Sequence, residues 1–164
     1  MKKLLTILLV LAMMFSFAAC GQDEPAPTPD PEVEENNVEM QKMTADQLLE
    51  AMKAGEDLLI LDVRKAADHE AAHIPGAFGI DMDAAKEGDT AAGVEALKAG
   101  LLEATGDVKG ADKKMVLVCY SGARYAQATT NCLNAIGANM ENVFTLEGGF
   151  KGWSETKADL VEAK

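Results

Sequence analysis

Basic residues are scarce: 15 Lys and Arg stand against 27 Asp and Glu in 164 residues, a formal charge of −12. Non-specific nucleic-acid binding depends on Lys and Arg releasing counterions, so nucleic acid is excluded as an expected partner. Long apolar runs are missing too. The longest, Leu4 to Ala19, has 16 residues, short of the ~20 that a membrane-spanning helix needs. Cysteine occurs three times, at Cys20, Cys119 and Cys132, too few for a disulfide scaffold. Proline is nearly absent from the folded part, because four of the five prolines lie between Pro25 and Pro31. No internal repeat is present. A chain of this length makes about one domain, which can bury roughly two-thirds of its unfolded surface.

Histidine is limited to His69 and His73, and both fall in "HEAAH", a letter-for-letter H-E-x-x-H. That pattern holds zinc only where a stable helix presents both imidazoles on one face and a third ligand is at hand. Pro75 disfavours helical geometry at Ile74, and Gly76 follows, so a helix here would scarcely outlast His73. Ala71 gives such a helix little bulk to pack, and only generic carboxylates such as Glu87 or Glu95 are available as further ligands. A zinc peptidase is excluded on these grounds and no metal ligand is assigned. His73 is expected to make a structural hydrogen bond where the chain turns toward its next strand, and His69 to be exposed.

Lys2 and Lys3, an apolar stretch and the small residues Ala18 and Ala19 read as a secretory signal over residues 1–19. "FAACG", Phe17 to Gly21, resembles a bacterial lipobox. That resemblance implies cleavage before Cys20, lipidation of Cys20 and an extracytoplasmic chain anchored to a bacterial membrane. Residues 20–42 carry the proline cluster and uncompensated carboxylates with almost nothing apolar, and read as a solvated tether.

The domain itself is expected over residues 43–164. Thr44, Ala45, Asp46 and Gln47 form a capping-box pattern ahead of Leu48, Leu49 and Met52, with Gly55 as a stop. "LLILDV" (Leu58 to Val63) and "MVLVCY" (Met115 to Tyr120) are short continuous apolar runs, the type found in parallel strands covered on both faces. Further strands are expected at 77–80 and 143–146, and helices at 90–104, 123–136 and 150–162. Strands alternating with helices predict an α/β domain with a mainly parallel central sheet and helices on both faces. In such sheets ligands bind beyond the carboxyl ends of the strands.

Cys119 falls at such an end, followed by a short loop with Gly122 and a helix starting near Arg124. Free backbone N–H groups, the positive end of the helix dipole and a nearby guanidinium all favour thiolate over thiol there. A cation in the first turn of a helix is electrostatically misplaced, so Arg124 calls for solvent exposure, a carboxylate partner or an anion in the loop. Cys132 lies about 12 Å further along that helix at ~1.5 Å per residue, beyond the ~7 Å between Cα atoms that a disulfide tolerates. It reads as a buried helix residue, and Phe150 and Trp153 as core anchors.

Four ordered pieces, "LDVR" (Leu61 to Arg64), "HIPGA" (His73 to Ala77), "CYSGAR" (Cys119 to Arg124) and "LEGGFKGW" (Leu146 to Trp153), resemble the rhodanese-like sulfurtransferase domain. The resemblance implies a rhodanese-like fold in which Cys119 takes sulfane sulfur from a small anionic donor such as thiosulfate or polysulfide. Cys119 would hold it as a persulfide and pass it to a thiol or to cyanide. The same resemblance makes Tyr120, Ser121, Gly122, Ala123 and Arg124 the substrate cradle, makes Asp62, Arg64 and Glu70 a structural polar set behind the loop, and calls for no metal or organic cofactor. Tyr125 stands where many members have a small hydroxyl residue, a departure that bears on substrate preference. Related phosphatases use a loop one residue longer than the six from Cys119 to Arg124. A non-catalytic binding or sulfur-sensing module on the same scaffold is the alternative.

Overall fold

The computed structural model describes residues 37–163. The expected signal, the Cys20 lipidation site and the tether up to residue 36 lie outside them.

A five-stranded sheet carries the domain. Its strands are β1 (Gln41–Met43), β2 (Leu58–Asp62), β4 (Phe78–Gly79), β5 (Lys114–Val118) and β6 (Val143–Leu146), ordered β1-β6-β5-β2-β4. Every neighbouring pair is parallel. Side chains alternate across a strand, so each apolar run feeds two cores. Leu59, Leu61, Val63, Met115, Leu117 and Cys119 join one core, under α4 (Thr90–Thr105) and α5 (Arg124–Ala135). Ile60, Val116 and Val118 join the other, under α1 (Ala45–Ala54) and α6 (Gly149–Thr156), where Leu48 and Trp153 are fully buried. The uninterrupted hydrophobicity of "LLILDV" is thus a sheet covered on both faces.

α1 starts as expected. Thr44 accepts from the Gln47 N–H at 3.2 Å, and the Gln47 side chain accepts from the Thr44 N–H at 2.9 Å. Gly55 closes the helix in the left-handed region at φ 69°.

The chain departs from expectation in four places. Gln41 and Lys42, expected at the end of the tether, form β1 with Met43. Upstream of them the Val38 N–H donates to Asn131 Oδ1 at 3.1 Å and the Val38 carbonyl accepts from Gln127 at 2.8 Å. A three-residue edge strand with two polar residues carries no periodic signal. The strand expected at 77–80 is confined to Phe78–Gly79. The helix expected over 150–162 ends at Thr156, whose hydroxyl turns back onto the Gly152 carbonyl at 2.8 Å. A 3₁₀ turn at Ala158–Leu160 follows, held by the Trp153 indole N–H donating to the Leu160 carbonyl at 3.1 Å. The chain then forms β7 (Glu162–Ala163), antiparallel to β3 (Ala72–His73). Two short helices also went unread, α2 (Ala66–Ala71) and α3 (Asp83–Lys86).

Candidate active site

β5 delivers Cys119 to the carboxyl edge of the sheet one residue after its last strand residue, Val118. Cys119 is only 1% exposed. Beside it lies a cavity of about 240 Å³ lined by Cys119, Tyr120, Ser121, Ala123, Arg124 and Tyr125, with Lys86 entering from α3. Cys132 is the other thiol among the described residues; it is buried and unpaired, and burial pushes its pKa up.

The loop after Cys119 folds into this shape because its neighbours have no side chains to obstruct it. Gly122 sits at φ 74°, and a Cβ there would fall 2.6 Å from the Leu146 carbonyl oxygen. Gly149, at the start of α6, has φ 57°, and a Cβ on it would lie 2.3 Å from the Cys119 carbonyl oxygen and 2.7 Å from the amide nitrogens of Ser121 and Gly122. The contact is productive. The Phe150 N–H donates to the Cys119 carbonyl at 2.7 Å and the Lys151 N–H to the Tyr120 carbonyl at 3.1 Å. The loop's carbonyls are therefore tied down to α6. The N–H groups of Ser121, Gly122, Ala123 and Arg124 find no acceptor among the described residues. Open N–H groups leading into the first turn of α5 are the arrangement that receives an anion.

The Arg124 side chain is exposed and makes no ion pair or hydrogen bond among the described residues. Of the three explanations its position called for, a carboxylate partner is removed.

Asp62 and Arg64 lie behind the loop as a buried pair, with Arg64 Nη2 to Asp62 Oδ2 at 2.6 Å. Arg64 also donates to the Ala72 carbonyl at 2.6 Å, and its guanidinium lies 3.9 Å from the centre of the Phe150 ring. The residue whose N–H holds the Cys119 carbonyl is thus backed by a fixed cation. The second side chain on Asp62 is His69, with Nδ1 3.3 Å from Oδ2. This corrects the expectation that His69 would be exposed: its side chain keeps 19% of its surface. Glu70, the third member expected in the polar set, is exposed and lines a cavity with His69, His73 and Glu162.

The H-E-x-x-H string is divided between two elements. His69 is on α2, which ends at Ala71, and His73 is on β3. The imidazoles stack at 4.3 Å between centroids, and His73 is held by the His69 carbonyl at 2.9 Å and by Glu162 at 3.2 Å. His73 has the structural hydrogen bond expected of it.

Tyr125 forms a wall of the Cys119 cavity. Its hydroxyl donates to Asp83 Oδ1 at 2.5 Å and its ring meets the edge of Tyr120 at 5.2 Å. Lys86 Nζ lies 5.6 Å from the same ring. Burial, reinforced by the Asp83 carboxylate, pushes the Tyr125 hydroxyl well above the ordinary range, so it stays protonated and neutral at physiological pH. The same hydrogen bond holds Asp83 below its usual value of 3.8. A carboxyl depressed in the folded state contributes stability above its unfolded pKa and loses it as pH falls through the folded pKa. In Tyr125→Phe the Asp83 carboxyl is expected to titrate closer to 3.8. The stability difference from wild type should be present at neutral pH and close in acid, as NMR titration of Asp83 and unfolding curves against pH would show. An Asp83 titration unaltered by the substitution would refute the coupling.

Asp83, Lys86, His69 and the Gly149 contact escaped sequence reasoning. Only "LEGGFKGW" signalled one of them, by resemblance rather than by physics.

A thiol at the carboxyl end of a parallel strand, in a loop of open N–H groups that runs into a helix, defines the class of α/β domains whose candidate site lies at that edge of the sheet. Within that class the chain belongs to the rhodanese-like domain family, whose model matches residues 44–156. It is 27% identical over 107 residues to thiosulfate sulfurtransferase GlpE of Pseudoalteromonas translucida, across 65% of this chain and 83% of that protein. Among solved structures it is similar to the rhodanese-like domain of the Anabaena sp. Alr3790 protein. That match has TM-score 0.56 and 21% identity, over 77% of this chain and 81% of the other. It is also similar to yeast Ygr203w, described as a protein tyrosine phosphatase of the rhodanese family, with TM-score 0.55 and 17% identity over 76% of this chain and 92% of that one. Likeness at these identities is likeness of fold, and the fold leaves the reaction to the site.

Proposed function

We propose that the protein is a sulfurtransferase that carries sulfane sulfur on Cys119. The observation behind this reading is the buried Cys119 thiol beside a small cavity, next to a loop whose Ser121, Gly122, Ala123 and Arg124 N–H groups are open. Similarity to a thiosulfate sulfurtransferase over most of that protein's length supports it.

With thiosulfate as donor, the Cys119 thiolate attacks the outer sulfur. A bond forms between Sγ and that sulfur, the S–S bond of thiosulfate breaks, and sulfite leaves with the bonding pair. In this reading the N–H groups and Arg124 stabilise the negative charge on donor and persulfide. A thiolate or cyanide then attacks the outer sulfur, the Sγ–S bond breaks, and Cys119 returns as thiolate. Tyr120 and Ser121 shape the cradle, and Asp62 and Arg64 act through Phe150 as positioning residues. We further propose that Cys20 is lipidated and holds the domain to a bacterial membrane outside the cytoplasm.

Intact-protein mass spectrometry of the chain before and after thiosulfate or polysulfide tests the reading. The expected result is a gain of one sulfur, removed by cyanide. No gain with either donor would refute sulfur transfer and favour a binding or sensing module. Steady hydrolysis of an aryl phosphate would instead favour the phosphatase reading.

A further inference from the structure

Asp62 accepts from two side chains, and the second of them, His69, sits in a fitted slot. Arg64 reaches both carboxylate oxygens, with Nε 2.9 Å from Oδ1 and Nη2 2.6 Å from Oδ2, and its backbone N–H donates to Oδ1 at 3.2 Å. His69 Nδ1 adds a contact to Oδ2 at 3.3 Å. A carboxylate paired with a guanidinium only accepts, so Nδ1 carries the hydrogen in this contact. β4 makes room for the imidazole by having no side chain at Gly79, where a Cβ would fall 2.7 Å from His69 Cδ2 and 2.9 Å from Cγ. The His73 ring stacks on it at 4.3 Å, with the planes 25° apart. His73 is itself fixed twice, by the His69 carbonyl and by Glu162 of β7. Three elements besides α2 therefore set where Nδ1 points: β4, β3 and β7.

A ring kept only to fill space would need no such aim. The slot orients a donor onto the carboxylate that aligns Arg64. Arg64 in turn lies 3.9 Å from the centre of the Phe150 ring, and the Phe150 N–H donates to the Cys119 carbonyl at 2.7 Å. We propose that His69 is a positioning residue for Cys119: its Nδ1–H steadies the Asp62–Arg64 pair, and through that pair the Phe150 backbone that holds the Cys119 carbonyl. The effect on rate rests on the sulfurtransferase reading above, whereas the link from His69 to Phe150 does not. His69 is not among the residues that line the Cys119 cavity, so it acts only through its neighbours. Arg64 keeps its own bond to the Ala72 carbonyl at 2.6 Å. Loss of His69 therefore loosens the pair without releasing it, and its effect is far smaller than that of losing the Cys119 thiol.

His69→Phe and His69→Asn separate the hydrogen bond from the ring. Phenylalanine keeps a ring to stack and has no donor, whereas asparagine loses the ring and presents an amide N–H near the place of Nδ1–H. Two readouts are taken on the full chain: hydrogen exchange at the Phe150 amide, and the single-turnover rate of sulfur loading from thiosulfate by quenched mass spectrometry. In His69→Phe, exchange at Phe150 is expected to rise about fivefold and loading to slow about fivefold, the scale of one hydrogen bond. In His69→Asn both are expected to return to within about twofold of wild type. His69→Phe matching wild type in both readouts, or the two variants changing together, would overturn the positioning role. If either variant fails to fold, Gly79→Ala displaces the ring while keeping the imidazole, because its Cβ would lie 2.7 Å from Cδ2. Unchanged exchange at Phe150 in that variant would overturn the role equally. A wild-type chain that takes up no sulfur from thiosulfate or polysulfide would overturn sulfur transfer, and exchange at Phe150 then decides the link from His69 on its own.

Discussion

Cys119→Ser is expected to abolish sulfur uptake and to lower sulfurtransferase kcat/KM by on the order of 10⁴-fold or more, the scale seen when a covalent nucleophile is removed. The effect is chemical rather than structural. Serine has nearly the same shape, and the buried site meets it with the same contacts, but its hydroxyl neither ionises near neutrality nor forms a persulfide. The melting temperature should change little, and the mass spectrum after thiosulfate should show no added sulfur. Cys132→Ser provides the contrast. That thiol is 1% exposed on the helix side of the core, so a hydroxyl there costs stability, on the order of 1–3 kcal/mol, while one-sulfur loading persists. If Cys119→Ser retained loading and Cys132→Ser lost it, the carrier would have to be reassigned to the helix.

The different settings of the two cysteines, one at a strand end and one in a helix, were legible in the sequence because they depend on local order. Cys119 ends an apolar run and precedes a glycine-containing loop, whereas Cys132 lies eight residues into a helix. The parallel sheet was legible for a similar reason, since β2 and β5 are buried on both faces and show it as continuous hydrophobicity. What escaped is built from short or distant pieces. β1, β3 and β7 have two or three residues each, and their polar side chains are set by edges and by chain ends rather than by a period. Lys86 comes from a four-residue helix 33 positions before Cys119 and enters the site only because α3 packs beside α5. His69 looked like a surface residue because the partner that draws it inward, Asp62, is on a strand. Glu70 is its neighbour on α2 and is exposed, because successive residues of a helix point in different directions.

Gly149→Ala is expected to lower the rate of sulfur loading by about 10²-fold and to destabilise the domain by roughly 2–4 kcal/mol. About 1 kcal/mol of that is the ordinary cost of a left-handed backbone at a residue with a Cβ. The rest comes from what the new carbon meets: the Cys119 carbonyl oxygen at 2.3 Å and two amide nitrogens at 2.7 Å, all backbone atoms. No side chain can rotate away, so α6 and the loop must separate. That separation weakens the hydrogen bonds from the Phe150 and Lys151 N–H groups that hold the Cys119 and Tyr120 carbonyls. Sγ then moves relative to the N–H groups of the loop, and in-line attack depends on that geometry to well under 1 Å. Gly55→Ala isolates the effect. Gly55 has φ 69° against 57° at Gly149, yet a Cβ there meets nothing within 4 Å. It should cost only the backbone share, with loading unchanged. Denaturant unfolding and single-turnover loading of the two variants side by side decide the matter: if Gly149→Ala matches Gly55→Ala in both, α6 does not position the loop, and the second glycine of "LEGGFKGW" is there for its backbone conformation alone.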